Sequence, residues 1–218
     1  MGKNKSKFQE YVEAIVVALL LALFIRGFIV QAFKIPSGSM IPTLLIGDHI
    51  LVNKFIYGIR IPFTNKRIFA FKKPEREDVI VFVYPLDPSK DFIKRVIGVE
   101  GDTILIKGKK VYINGILYSD PHAHYLDDNL QNCTIKRKNF GPITVPKNSL
   151  FVMGDNRDRS YDGRYWNKFV TLDQVIGKAF IIYWSNGSPH HRAAWNLPMK
   201  ILDAIIYNRW ERIGNLIH

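Results

Sequence analysis

Twenty consecutive residues, Ala14 to Phe33, carry a single charge, Arg26, and this run constrains the 218-residue chain more than any other feature. As a helix it would be about 30 Å long, the thickness of a bilayer's hydrocarbon core. Arg26 lies toward the far end, where a long side chain reaches the interface. A buried core helix is disfavoured, because nothing polar alternates through Ala14–Ile25. A cleaved export leader shares the basic start and apolar centre. Here, however, Arg26 and more apolar residues follow in place of a small-x-small cleavage site. The run therefore reads as a membrane anchor over residues 11–33. Lys3, Lys5 and Lys7 precede it and place residues 1–10 in the cytoplasm. Everything after Phe33 is then expected outside, and no later segment is long enough for a second span.

Residues 34–185 read as one mainly β domain. Pro36, Ser37, Gly38, Ser39, Pro42 and Gly47 mark an exposed loop directly after the span. Strands are expected at 49–55, 79–84, 91–99, 103–107, 110–113, 116–118, 149–153 and 177–184, with Asn114-Gly115 as a hairpin turn. Helical periodicity is nearly absent between Lys34 and Trp184. Residues 119–148 are polar and read as a small inserted subdomain. From Met199, the residues Ile201, Leu202, Ile205, Ile206, Trp210, Ile213, Leu216 and Ile217 fall on one helical stripe, so 186–218 is expected as an amphipathic C-terminal tail that is helical from Met199. That helix could pack on its own domain or lie at a membrane surface with Trp210 at headgroup depth.

Lys and Arg outnumber Asp and Glu by 31 to 19, a formal charge of +12. Nucleic acid is a weak explanation: the basic residues are scattered, without aromatic interleaving, on a domain placed outside the cell. An anionic phospholipid surface fits better, since a tethered basic domain is drawn to headgroups within about a Debye length. The single cysteine, Cys133, excludes an intramolecular disulfide and a multi-cysteine zinc site. His122-x-His124 has no third ligand nearby. Asp158-x-Ser160-x-Asp162-Gly163 starts like a calcium loop but has Phe169 at the twelfth position, and Arg157, Arg159 and Arg164 repel a cation. No phosphate-binding glycine motif is present. No metal or cofactor is expected.

The chemistry points to two residues. Ser39 sits in the loop after the span. Lys94 lies inside the apolar run Phe92-Ile93-Lys94-Arg95-Val96-Ile97-Gly98. Alternation puts Phe92, Lys94 and Val96 on one face and Ile93, Arg95 and Ile97 on the other. If both faces are covered, one of the two basic groups is partly buried. A buried lysine has its pKa pushed down and can act as a neutral base for a serine hydroxyl.

These segments resemble the bacterial type I signal peptidases, collinearly and over about residues 10–185. Ile35-Pro36-Ser37-Gly38-Ser39-Met40-Ile41-Pro42-Thr43-Leu44 is similar to the family's nucleophile box. Gly47–Lys54 is similar to its next box, Phe92–Gly98 with Gly101-Asp102 to its general-base box, and Gly154–Trp166 to its last. The resemblance implies a β-rich catalytic core of coiled antiparallel sheets and a serine endopeptidase that removes signal peptides after small-x-small motifs. It implies Ser39 as nucleophile and Lys94 as general base, with the Ser39 N–H and Ser37 hydroxyl as oxyanion hole. Ser160 would orient the Lys94 amine, Asp162 would pair with Arg164, and Asp155 with Arg95. Phe33, Ile35, Pro36, Met40, Leu44, Phe92 and Ile93 would shape the substrate pockets. Many Gram-negative relatives have two spans, and Asn167 stands where a Gly is more usual. A self-cleaving Ser/Lys protease of related fold is the alternative, but that type is soluble and carries a DNA-binding module, which this sequence lacks.

Overall fold

Ser6 starts the first helix with a reciprocal cap: its hydroxyl accepts the Gln9 N–H at 3.3 Å and the Gln9 side chain accepts the Ser6 N–H at 3.1 Å. The computed structural model describes residues 6–60, 67–68, 71–125, 139–187 and 207–218. Helix α1 runs Lys7–Phe24 and continues as a wider π turn, Ile25–Ile29. Together they give 23 residues, long and apolar enough to cross a membrane, with no residue of α1 buried by protein. Leu19, Leu20 and Leu23 are more than half exposed, a cost that lipid would remove.

The helix stops earlier than the sequence suggests. Val30–Phe33, placed by its apolarity at the end of the span, forms with Lys34 the strand β1 (Val30–Lys34), which pairs antiparallel with β2, Asp48–Asn53. The β2 exit holds the junction: Lys54 N–H donates to Ile29 O at 2.9 Å, and Lys54 Nζ to Gly27 O at 2.9 Å. A cation on the last carbonyls of a helix complements its dipole.

The remaining strands are β3 (Ile59–Arg60), β4 (Arg67–Ile68), β5 (Val79–Val83), β6 (Asp91–Gly98), β7 (Thr103–Lys107), β8 (Lys110–Ile113), β9 (Ile116–Tyr118), β10 (Asn139–Thr144), β11 (Ser149–Met153), β12 (Val170–Thr171) and β13 (Val175–Ser185). Five of them join β1 and β2 in one antiparallel sheet of seven strands, in the order β1-β2-β13-β5-β6-β11-β12. A second sheet has the order β10-β7-β8-β9, and β3 and β4 form a separate pair. The large sheet is covered on both faces, which explains the unbroken apolar run of β5. Val79 and Val81 join Ile35, Met40, Leu44, Ile50 and Val52 on one face; Ile80 and Phe82 join Val96, Leu150, Val152 and Trp166 on the other. Phe151 and Met153 pack with Ile97, Ile104 and Ile106 beneath the smaller sheet. The Asn114-Gly115 turn forms as read, both residues at positive φ between β8 and β9.

Two expectations need correction. Residues 119–148 are not a separate subdomain where they are described. Strand β10 pairs with β7, and Asp120 forms a buried ion pair with Arg157. Gly141-Pro142 disguised β10 as a loop; the pair sits at a register shift on an edge strand, where proline is tolerated. Residues 126–138, with Cys133, lie outside the described residues. The expected C-terminal helix, from Met199, lies partly outside them too, at residues 199–206. Residues 207–218 form no α-helix. Their backbone bonds go to β13 instead: Gly214 N–H to Ile182 O at 2.8 Å and Ile217 N–H to Phe180 O at 3.0 Å. Ile217 is buried beside Ile35 and Leu44, and Trp210 is exposed, its ring 5.8 Å from that of Trp184.

Candidate active site

Ser39 lies in a single 3-10 turn, Gly38–Met40, reached five residues after β1 ends. Ile41 N–H closes the turn onto Gly38 O at 3.3 Å. The Ser39 N–H comes earlier in the turn than the first donor and is left for another acceptor. Ser37, exposed just ahead of the turn, caps none of its amides.

Lys94 reaches this turn from the middle of β6. Its Nζ is 2.7 Å from Ser39 Oγ and 2.9 Å from its neighbour's carbonyl, Ile93 O. Sequence alternation left open which basic residue of β6 is buried. Both are, Lys94 at 4% exposure and Arg95 at 0%. Burial pushes the Lys94 pKa down to about 8, opposed in part by the charges of Asp162 and Asp155. The Phe92 ring, 5.5 Å from Nζ, completes an apolar setting.

The two basic groups have different fates because their partners differ. Arg95 is neutralised by a two-pronged pair with Asp155, at 2.8 and 2.7 Å, and donates further to Glu77 O and His218 O. Thr43 Oγ1 adds a 2.5 Å bond to Asp155, tying the Ser39 loop to the same carboxylate. Among the described residues, Lys94 has no carboxylate in bonding range. Asp162 is instead engaged by Arg164 at 2.8 and 2.7 Å and by the Gly154 N–H at 3.0 Å. Burial alone would raise the Asp162 pKa, but Arg164 and these donors hold it below the ordinary range. The pairs foreseen for Asp155 and Asp162 are therefore both formed.

Ser160 does not bond the Lys94 amine here. Its Oγ is buried beside Asp162, and the second partner of the amine is Ile93 O. The pocket residues also divide. Phe33 and Ile93 are half-buried against the cluster that contains Ile35, and Pro36 is exposed. Met40 and Leu44 have no accessible surface and shape a pocket only from behind. Phe92 stacks on Tyr84 at 4.2 Å in the opposite cluster, as strand alternation requires. Asn167 ends the short helix α2, Gly163–Trp166, at φ 53°, the left-handed conformation that favours Gly and tolerates Asn.

Three contributors were not singled out from the sequence. Asp48 is fully buried and accepts Ser185 Oγ at 2.6 Å, Arg212 Nη2 at 2.6 Å and Leu45 N–H at 2.8 Å, anchoring the far end of the Ser39 loop. Asn156 holds the loop from the other side. Gly154 leaves no room for a side chain between Ser39 and Ser160. All three lie inside quoted motifs; a charged or amide residue within an otherwise buried box was the available signal.

The family model described as "Signal peptidase, peptidase S26" matches residues 8–184, most of the chain. The chain belongs to the signal peptidase family. It is 37% identical over 209 residues to signal peptidase I of Pseudomonas aeruginosa, covering 83% of this chain and 74% of that protein. It is 34% identical over 252 residues to signal peptidase I of Aquifex aeolicus, covering 90% and 93%. A crystal structure of a signal peptidase I from Enterococcus faecalis is 33% identical, covers 49% of this chain and 97% of that one, and has a TM-score of 0.39. This signal peptidase is thus a serine endopeptidase by family, and its antiparallel β core behind one apolar helix agrees with the expected fold class.

The Asp162–Arg164 pair gives a stability prediction. Arg164→Met leaves Asp162 charged and uncompensated in the interior, which costs on the order of 3–5 kcal/mol. Urea denaturation of the detergent-solubilised protein is expected to show a lower midpoint at pH 7. An unchanged midpoint would mean that the pair carries no bracing role.

Proposed function

We propose that the chain cleaves signal peptides from preproteins by a Ser39/Lys94 dyad. The observation that carries this reading is the 2.7 Å contact between Ser39 Oγ and a buried Lys94 amine free of any carboxylate bond. Neutral Lys94 takes the Ser39 proton as Oγ attacks the scissile carbonyl carbon. The carbonyl oxygen becomes an oxyanion, received by the Ser39 N–H and the Ser37 hydroxyl, each such donor worth about 2.7–4 kcal/mol. Protonated Lys94 returns its proton to the leaving amine, and an acyl-enzyme remains. Water then attacks, with Lys94 again as base, releasing the carboxylate and regenerating Ser39. Ser160 is read as supporting the amine in this cycle, although its Oγ makes no bond to Lys94 in the free protein.

Phe33, Pro36 and Ile93 offer shallow apolar surface to small substrate side chains, with Ile35 buried behind them, which fits cleavage after small-x-small sequences. The substrate is read as extended, bound beside strand edges. Residues 1–10 are assigned to the cytoplasm and the catalytic domain to the outer face of the membrane. Ser39 follows the span by ten residues, so the enzyme meets cleavage sites as they leave the bilayer. The basic catalytic domain is held close to anionic phospholipid.

The test is the pH dependence of cleavage. Lys94 must be neutral to act, and its depressed pKa is about 8. From low pH, log(kcat/KM) is expected to rise with unit slope and level off above about pH 8. A rate flat from pH 6 to 9 would rule out a titrating lysine base.

A further inference from the structure

The Gly38–Ser39 peptide is the group whose N–H is read as an oxyanion donor, and its other end is held by one side chain. Asn156 Nδ2 donates to Gly38 O at 3.0 Å, while the Asn156 backbone N–H donates to Ser39 O at 3.1 Å. Asn156 is 2% exposed. Its amide orientation is fixed by its own oxygen, which accepts the Arg159 N–H at 3.2 Å. The Gly38–Ser39 bond is trans, so its planar N–H points opposite to its carbonyl. A clamp on Gly38 O therefore sets the direction of the Ser39 N–H. With the Ile41 N–H also on Gly38 O, the carbonyl has two donors, and each polarises the peptide and sharpens its N–H as a donor.

We propose that Asn156 is a positioning residue of the oxyanion hole, aiming the Ser39 N–H at the oxygen that becomes charged. The proposal rests on the reading of Ser39 as nucleophile. Asn156 touches no substrate atom in this scheme. It acts through the peptide plane, so it contributes when charge develops on the substrate oxygen and not when the peptide first binds.

The test uses the full-length enzyme in detergent carrying Asn156→Asp. The carboxylate keeps the shape and still accepts from Arg159 but offers Gly38 O no donor. Rates are read on the high-pH plateau, so that any change in Lys94 charge drops out. kcat for a preprotein peptide is expected to fall roughly 10- to 100-fold with KM within about twofold, less than the ~10²–10³ of a donor removed outright. A peptide aldehyde supplies the second readout. Ser39 Oγ adds to the aldehyde carbon, the proton passes to Lys94, and the carbonyl oxygen becomes the oxyanion. Aldehyde affinity should fall by the same factor as kcat, and affinity for the matching peptide alcohol should not change. Asn156→Ala should repeat the pattern with the pH midpoint unmoved, and it serves alone if the aspartate variant does not fold. A kcat within about twofold of the unmodified enzyme, or an equal loss of aldehyde and alcohol affinity, overturns the proposal. Ser39→Ala is measured alongside. If it keeps full aldehyde affinity, the nucleophile reading itself fails, and the Asn156 proposal falls with it.

Discussion

Lys94→Met is expected to abolish cleavage and to stabilise the fold in the same stroke. The amine is the only base in bonding range of Ser39 Oγ among the described residues, so kcat should fall by roughly 10⁴-fold or more. The stability gain follows from the pKa. Lys94 is lowered from 10.5 to about 8, so its charged form is disfavoured in the folded protein. Below pH 8 both folded and unfolded states carry the proton and the whole penalty is present, on the order of 3 kcal/mol at 1.36 kcal/mol per pKa unit. Between about pH 8 and 10.5 the folded state has lost the proton and the unfolded state has not, so the penalty fades as pH rises. Methionine fills a similar volume without charge but loses the bonds to Ser39 and Ile93, about 1 kcal/mol each. A net gain of about 1–2 kcal/mol at pH 7, shrinking toward pH 10, is the expected result of denaturation curves. A variant less stable at pH 7 than the parent would contradict a desolvated catalytic amine.

Gly154→Ala is the second large effect. A Cβ at this position would lie inside van der Waals contact of Ser160 Oγ and the Ser39 carbonyl oxygen, and 2.6 Å from Ser160 Cβ. Neither neighbour can yield cheaply. The Ser39 carbonyl is held by Asn156 N–H, and Ser160 is buried against the Asp162–Arg164 pair. The nucleophile turn must shift away from Lys94, and displacement of about 1 Å costs on the order of 10²-fold in rate. Cleavage should drop at least that far, with substrate affinity less affected. An alanine variant with parental kcat would show that the turn is not confined by Gly154.

Part of the Ser39/Lys94 arrangement was legible because strand alternation is strict. Phe92, Lys94 and Val96 share a face in the sequence and in the packed sheet, and the apolar run foretold that one of its two basic residues is buried, without saying which. The partner of Arg95 came only from the family resemblance, since alternation within the strand says nothing of Asp155 arriving from sixty residues away. The end of the span was misjudged because Val30–Phe33 is as apolar as the helix before it. The switch to strand is enforced by pairing with β2, a tertiary cause. The same holds for β10, where Gly141-Pro142 reads as a turn until β7 supplies a partner. At the C-terminus the helical spacing of Ile213, Leu216 and Ile217 was real, but β13 offered the backbone better-placed partners than a helix would. Asn156 was legible only as an amide within a buried box, because its bond goes to a backbone carbonyl whose position the sequence does not give.

The central claim is that Ser39 performs the chemistry on signal peptides. Its most direct test is cleavage of a secretory preprotein by the purified full-length enzyme and by Ser39→Ala, with the product termini read by mass spectrometry. The account predicts one cut after a small-x-small sequence for the unmodified enzyme and none for the variant, while both keep the same β-rich circular dichroism spectrum. Cleavage at the same bond by the Ser39→Ala protein would contradict it.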